Sequence, residues 1–305
     1  MNNSRREFVK ASSILAVGAF ALSSAPSLFA AKKPKKITGI QLYSIRDEMK
    51  ADPLGTLKQL AAMGYKNVEH ANYRDRKFYG YSPAEFKKIL GDLGMKMPSG
   101  HTVLRADHWD NFNHDFTDEW KYTVEDAAFM EQKYVISPWL DQSLRNSESQ
   151  VKEFMDVFNK SGELCNTYGM KFGYHNHDFE FSQKLDGKVL YDIIMDNTDP
   201  DGVIHQLDIG NMYNAGAKAA DLLKKYPGRF ESIHVKDEIE TKGNEHGKFE
   251  STILGSGIIN VKEVIDLAAK EGGSVHFIIE QEAYQGKKPL ECMKENIQIM
   301  NSWGY

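Results

Sequence analysis

The sequence predicts an α/β protein, a (β/α)8 TIM barrel in which a parallel eight-stranded barrel is wrapped by outer helices. Three observations predict it. From Ile37 onward, eight short apolar runs alternate with amphipathic stretches over about 270 residues, the pattern of a parallel sheet covered by crossover helices. Eight units of this length suit a closed barrel. An open doubly wound sheet usually carries a glycine-rich phosphate turn after its first strand, and none follows here. No linker rich in Pro, Gly or Ser interrupts the series, so residues 37–305 read as one domain.

The elements follow in order. ITGIQLYSI, Ile37–Ile45, is the first strand-like run, and PLGTLKQLAAMG after it has helical apolar spacing and a Gly stop. YKNVEH is the second strand. In SPAEFKKILGDLG, Ser82 is the N-cap and Pro83 the first helical residue. MKMPSGH is the third strand. A helix through DEWKYTVEDAAFMEQ leads to KYVISPWL, the fourth strand, and SESQVKEFMDVFNKSGELCNTYG leads to MKFGYHNH, the fifth. KVLYDIIMDN precedes the sixth strand, GVIHQLDIGN, and AADLLKKYPG the seventh, FESIHVKD. VKEVIDLAAKEGG precedes the eighth, VHFIIEQE, and PLECMKENIQIMNSW closes the series.

Residues before the barrel read differently. SRREFVK carries the pair Arg5-Arg6, and ASSILAVGAFALSSA follows, apolar and small for about fifteen residues, too short and Ala/Ser-rich for a membrane span. This resembles a bacterial twin-arginine export signal. The expectation is a signal peptide over residues 1–31, a solvated linker over 32–36, a periplasmic or exported mature chain, and no stable membrane insertion after cleavage. Hydrophobic residues make up 41% and charged residues 27%, which leaves no room for a membrane bundle. A net charge of −5 gives no general electrostatic grip on nucleic acid. Cys165 and Cys292 read as two buried thiols.

Barrel enzymes place their chemistry at the C-terminal ends of the strands, and here those ends are polar. Strand one contains Gln41 and Tyr43, Glu69 ends strand two, His101 strand three and Trp139 strand four. Strand five ends in His175, Asn176 and His177 with Glu180 beyond. Asp208 and Asn211 follow on strand six, His234, Lys236 and Asp237 on strand seven, and Glu280 and Glu282 on strand eight. Strands about 4.8 Å apart let such side chains converge. Clustered carboxylates repel one another unless a cation is present, and mixed carboxylate and imidazole donors suit one divalent ion: Mn2+, Mg2+, Co2+ or Zn2+. Alternation puts His175 and His177 on one strand face, with Tyr174 and Asn176 on the other.

QLDIGN, IHVKD, LGSGIINVKEVI and IIEQE occur in the order and spacing of the xylose isomerase-like barrel family, and GIQLYSIRDEM and YHNHDFEF are similar to its bacterial sugar isomerase/epimerase branch. The resemblance covers residues 37–305. It implies a divalent ion at the barrel mouth, with Asp208, His234 and Glu280 matching the ligands of strands six to eight. Many members carry a glutamate on strand five. This chain has YHNH there, which points to His175, or else to His177 or Glu180. Two glutamates flank the substrate in the related epimerases, a pairing that Glu180 and Glu280 (or Glu282) can supply here.

The implied reaction removes a proton next to a sugar carbonyl through an enediolate. The catalytic candidates are Glu180, Glu280, His177, Lys236 and His101. The substrate contacts expected are Tyr43, Glu69, Trp139, Asn176 and Glu282, with Trp109 a further aromatic. A sugar isomerase or epimerase is the first reading. A lyase that eliminates from exported 3-keto-glycosides is the alternative, and a non-catalytic sugar-binding barrel the rival of another class. A small sugar is the expected partner, with homo-oligomers common among family members. Gly255-Ser256-Gly257 reads either as a phosphate turn or as a cap for the next helix.

Overall fold

The computed structural model describes residues 36–244 and 247–305; the expected signal peptide and residues 32–35 of the linker lie outside the described residues. The eight barrel strands are β1 Ile37–Gln41, β2 Asn67–His70, β3 Lys96–His101, β4 Tyr134–Ser137, β5 Lys171–His175, β6 Val203–Asp208, β7 Ser232–Val235 and β8 His276–Ile279. Each pairs in parallel with its neighbour in sequence, and β8 closes on β1, Ile37 opposite His276 through Ile40 opposite Ile279. The main outer helices are α1 Pro53–Met63, α2 Pro83–Asp92, α3 Asp118–Phe129, α4 Glu148–Thr167, α5 Leu190–Asp196, α6 Ala219–Lys225, α7 Val261–Leu267 and α8 Pro289–Ser302. Among the described residues no helix is long and apolar enough to cross a membrane.

The helices form where the pattern and caps ask for them. Ser82 and Glu85 make a reciprocal capping box at α2, with Pro83 at its first position, a device that contributes about 1 kcal/mol. On α4 the buried positions Val151, Phe154, Met155, Phe158 and Cys165 follow helical spacing, so one stripe packs on the sheet. Most of the apolar core lies in two clusters between strands and helices. Inside the barrel, Tyr134, Ile136 and Ile204 form a small apolar cluster of their own. Cys165 and Cys292 are both free and buried.

The strands are shorter than their apolar runs. β1 stops at Gln41, whose side chain accepts from the Tyr43 N–H at 3.1 Å, and a short helix, Arg46–Ala51, follows. β5 stops at His175, so Asn176 and His177 sit in the loop after it. Hairpins also fill loops that the periodicity leaves blank: Tyr73–Arg74 with Lys77–Phe78, Trp109–Asp110 with Asp115–Phe116, Lys184–Leu185 with Lys188–Val189, and Asp237–Asn244 with Gly247–Thr252. Two of these turn on successive left-handed residues, Asp75 and Arg76 at φ 52° and 58°, and Asp186 and Gly187 at 49° and 85°, the backbone of a tight hairpin.

Candidate metal centre and active site

The period of two along a strand sends alternate side chains into the barrel, and on β6 to β8 those are acids, imidazoles and an amide. His175, Asp208, His234 and Glu280 each offer a donor atom within 4.8 Å of the others, and all four residues are buried. His234 Nδ1 lies 2.8 Å from Glu280 Oε2 and 3.8 Å from Asp208 Oδ2, and His175 Nε2 lies 4.0 Å from Asp208 Oδ2. Asp208 Oδ1 caps the short helix Ile209–Asn214 by accepting from the Asn211 N–H at 2.7 Å. Asp208 Oδ2 accepts no hydrogen bond although it is buried; Lys236 Nζ lies 3.0 Å away as an ion-pair partner.

A layer beneath orients these donors. Gln206 Nε2 donates to Glu69 Oε2 at 2.9 Å and to Ser232 Oγ at 3.0 Å. That turns its Oε1 toward His175 Nδ1 at 3.1 Å and His101 Nε2 at 2.7 Å. Glu69 Oε1 meets His234 Nε2 at 2.6 Å and His101 Nε2 at 3.1 Å. Gln41 donates to the same oxygen at 2.9 Å, and Ser99 donates to Oε2. Imidazoles that hold metals commonly give their other nitrogen to an acceptor of this kind, which fixes the free lone pair.

Electrostatics follow from burial and neighbours. Burial opposes ionisation of Glu69, yet His101 and His234 hold it well below the usual carboxylate range. Burial, then the charges of His234 and His101, push His175 well below the imidazole range, so it is neutral with a lone pair to give. Asp208 is pushed up to about 6, by burial first, with Lys236 opposing. Burial also works against Glu280, but Lys236 and His234 keep it well below the usual range. The donor set fits a divalent cation: two imidazoles, two carboxylates, a buried Asp208 oxygen that accepts no hydrogen bond and distal nitrogens already anchored.

Above the cluster opens a cavity of about 1000 Å3 whose wall includes Tyr43, His101, Trp139, His175, His177, Asn211, Glu280 and Glu282. Lys236 is buried at its edge, with Nζ 2.7 Å from Glu282 Oε1, 3.1 Å from Glu280 Oε2 and 3.2 Å from Asn211 Oδ1. His177 edges against Trp139 at 5.1 Å between ring centres.

Four expected site residues have other places. Glu180 is wholly buried, accepting from Tyr174 Oη and, at 2.8 Å, from the His177 N–H. It shapes the loop behind the cavity and does not face a substrate. Asn176 is buried and ties β5 to β6, its Oδ1 accepting from the Asp208 N–H at 3.0 Å. Glu69 lies under the histidines with no exposed surface, so it supports the cluster from below. Trp109 packs on Phe116 at 4.9 Å and is not on the cavity wall.

The turn at Gly255-Ser256-Gly257 is no phosphate cradle. Its Gly255 and Gly257 N–H groups donate to Asp237 Oδ2 at 2.8 and 3.0 Å, and Ile259 N–H donates to Oδ1 at 3.1 Å. Periodicity alone singles out neither Ser99, Gln206 nor Ser232. Gln206 was within reach of it, being two residues before Asp208 on the same strand face.

Residues 57–303 match the family model of the xylose isomerase-like TIM barrel. The chain belongs to this family. Its relatives here are enzymes, and so is it. It is 24% identical to the inosose dehydratase of Salmonella typhimurium over 253 residues, 72% of this chain and 82% of that one. It is also similar to the solved sugar phosphate isomerase/epimerase from Parabacteroides distasonis, with a TM-score of 0.75 and 24% identity over 95% of this chain and 98% of that one. The IOLI protein, solved with a bound zinc atom, gives a TM-score of 0.66 at 14% identity over 88% and 97%. These structural likenesses speak for the shared barrel.

Proposed function

We propose that this family member is a metal-dependent lyase: it removes the proton next to the carbonyl of a keto sugar and expels a group from the β-carbon. The reading rests on the placement of the carboxylates. Epimerisation and isomerisation return a proton to carbon, and the two-glutamate form of that chemistry needs a second acid on the strand-five side. Here strand five presents His175 and His177, and Glu180 is sealed away behind Tyr174. The lining carboxylates beside the donor cluster, Glu280 and Glu282, both follow β8, while Asp75 and Glu119 line the opposite side. One carboxylate can serve an elimination from a single face.

His175, Asp208, His234 and Glu280 would hold the ion. When bound, a divalent ion draws electrons from the carbonyl and stabilises the enediolate charge. Glu282, 42% exposed at its side chain and held 2.7 Å from Lys236, takes the proton from the carbon next to the carbonyl. The electron pair forms the carbon–carbon double bond and the β carbon–oxygen bond breaks. The same carboxyl then gives its proton to the departing oxygen, so an enone and an alcohol leave with atoms and charge balanced. Lys236, buried but faced by Asp208, Glu280 and Glu282, is raised well above its ordinary range, so it stays an ammonium and steadies the oxyanion rather than acting as a base. His177, on the far wall, is lowered to about 4 by burial and then by Lys236; as a neutral imidazole it hydrogen-bonds a hydroxyl.

Two further observations support the reading. The curated relatives named inosose dehydratases carry out dehydration, which is an elimination. The twin-arginine-like start of the chain suits an exported enzyme that meets unphosphorylated sugars. The test is to incubate the metal-loaded chain with methyl 3-keto-glucoside in deuterated buffer. Methanol and an enone are expected. Deuterium uptake or a new epimer without methanol release would replace the lyase with an epimerase.

A further inference from the structure

The cavity is larger than one sugar ring requires. Its volume of about 1000 Å3 is at the top of the range for sites that enclose a whole drug-sized ligand. The donor cluster and its acid–base groups come from β5 to β8, on one side of the mouth. The opposite side is built by the Tyr73–Phe78 hairpin, the loop after β3 and α3, which contribute Tyr73, Arg74, Arg76, Arg105 and Tyr122. None of these takes part in the chemistry above, and their arrangement is specific.

Tyr122 is 39% exposed on this wall. The Arg76 guanidinium lies over its ring at 4.2 Å. Asp126 grips that guanidinium from behind at 2.6 and 3.0 Å and also accepts from Tyr73 Oη at 2.6 Å. The wall is therefore rigid, flat and aromatic. Two of its three guanidinium groups are paired, because Arg105 is likewise spent on Asp107 at 2.9 Å and Glu119 at 3.0 Å, and Asp75 lines the wall beside Arg74. Paired guanidinium groups of this kind do not select a phosphate or a carboxylate. A flat ring bordered by fixed donors and acceptors suits a neutral pyranose, which stacks its C–H face and shares its hydroxyls with the border.

We propose that this wall is a second subsite for a neutral glycosyl unit, so that the group expelled is itself a sugar and the substrates are keto disaccharides. The proposal rests on the lyase reading and adds the identity of the leaving group. The reacting ring sits over the His175–Glu280 cluster, and the departing ring rests on Tyr122. No reactant beyond the substrate is needed, since the second sugar leaves as an alcohol.

The test compares two probes that share a reacting ring, methyl 3-keto-glucoside and 3-keto-cellobiose, with the α-linked pair run alongside. In the wild-type metal-loaded chain the disaccharide should have a kcat/KM about tenfold higher, carried mainly by KM. In Tyr122→Ala that ratio should fall to about one, and Tyr122→Phe, which keeps the ring, should restore it. Equal values for both probes in the wild type, or a ratio untouched by Tyr122→Ala, overturn the subsite and leave the lyase standing. Turnover of neither probe overturns the lyase; the subsite is then read from calorimetry with unoxidised cellobiose and maltose. Binding lost in Tyr122→Ala upholds it, and no binding to the wild type ends it.

Discussion

Glu69 and His234 are 165 residues apart in sequence, yet Glu69 Oε1 and His234 Nε2 are 2.6 Å apart with both side chains wholly buried. The contact crosses the barrel from β2 to β7. It holds Nε2 beneath the cluster and leaves Nδ1, 2.8 Å from Glu280 Oε2, as the nitrogen that faces the donor cluster. A cation that binds Nδ1 therefore meets a ring already oriented and made more basic.

Glu69→Gln keeps the shape and removes the charge. It also sets an amide against the Gln206 amide that now donates to Glu69 Oε2 at 2.9 Å. Metal affinity should fall about 10- to 100-fold, measured by competition with a chelator of known affinity. An unchanged affinity would show that the buried carboxylate does not steer His234.

The four donors make a direct count possible. Elemental analysis of the wild-type chain should give about one divalent ion per chain, in keeping with a single four-donor cluster. Asp208→Ala removes the ligand carboxylate whose buried Oδ2 accepts no hydrogen bond, and His175→Ala removes the strand-five imidazole. Both variants should lose the ion. Loss in Asp208→Ala with full retention in His175→Ala would remove strand five from the ligand set.

The barrel and its donor cluster were legible because both follow simple periods. Alternation of apolar runs and amphipathic stretches predicts β1 to β8 and the helices, and a step of two along a strand places Asp208, His234 and Glu280 at one mouth. What failed was the end of β5. Sequence extends that strand to His177, but the His177 N–H turns to the Glu180 side chain at 2.8 Å, and a contact three residues ahead leaves no periodic trace. Glu69 was misplaced for a related reason. It does project into the barrel, but depth along the axis depends on the stagger of neighbouring strands, which composition does not carry. The cavity wall was missed because it is made of hairpins two residues long on each side, Asp75 and Arg76 giving little turn signal to read.

Glu180 gives a pH test separate from the metal. Burial pushes its carboxyl up to about 8, against the opposing hydrogen bonds of Tyr174 and His177. The folded state thus keeps a proton that the unfolded chain, with an ordinary carboxyl near 4.3, has released. A raised folded pKa contributes stability below the unfolded value and loses it as pH climbs to about 8, at most about 1.4 kcal/mol per pH unit. Glu180→Gln removes this proton. The Tm of the wild type should therefore fall relative to Glu180→Gln between pH 5 and pH 8.5, and parallel Tm curves for the two proteins would mean that Glu180 is ionised in the fold.

Asp237 and Gly257 set the turn before α7. The Asp237 carboxylate collects N–H groups from Glu238, Gly255, Gly257 and Ile259 at 2.9, 2.8, 3.0 and 3.1 Å. A methyl group on Gly257 would stand 2.2 Å from Asp237 Oδ1 and 2.4 Å from the Glu238 carbonyl oxygen, closer than atoms can pack, and the backbone oxygen cannot rotate away. Gly257→Ala should therefore cost about 1–3 kcal/mol in urea unfolding. Asp237→Ala should cost as much or more, because it strands several N–H donors at once. Ser256→Ala, on the exposed crest between the two glycines, is the control and should stay within about 0.5 kcal/mol of the wild type. If Gly257→Ala unfolded together with Ser256→Ala, the turn would have room that these distances deny it, and the carboxylate would not be what holds the loop closed beside Lys236.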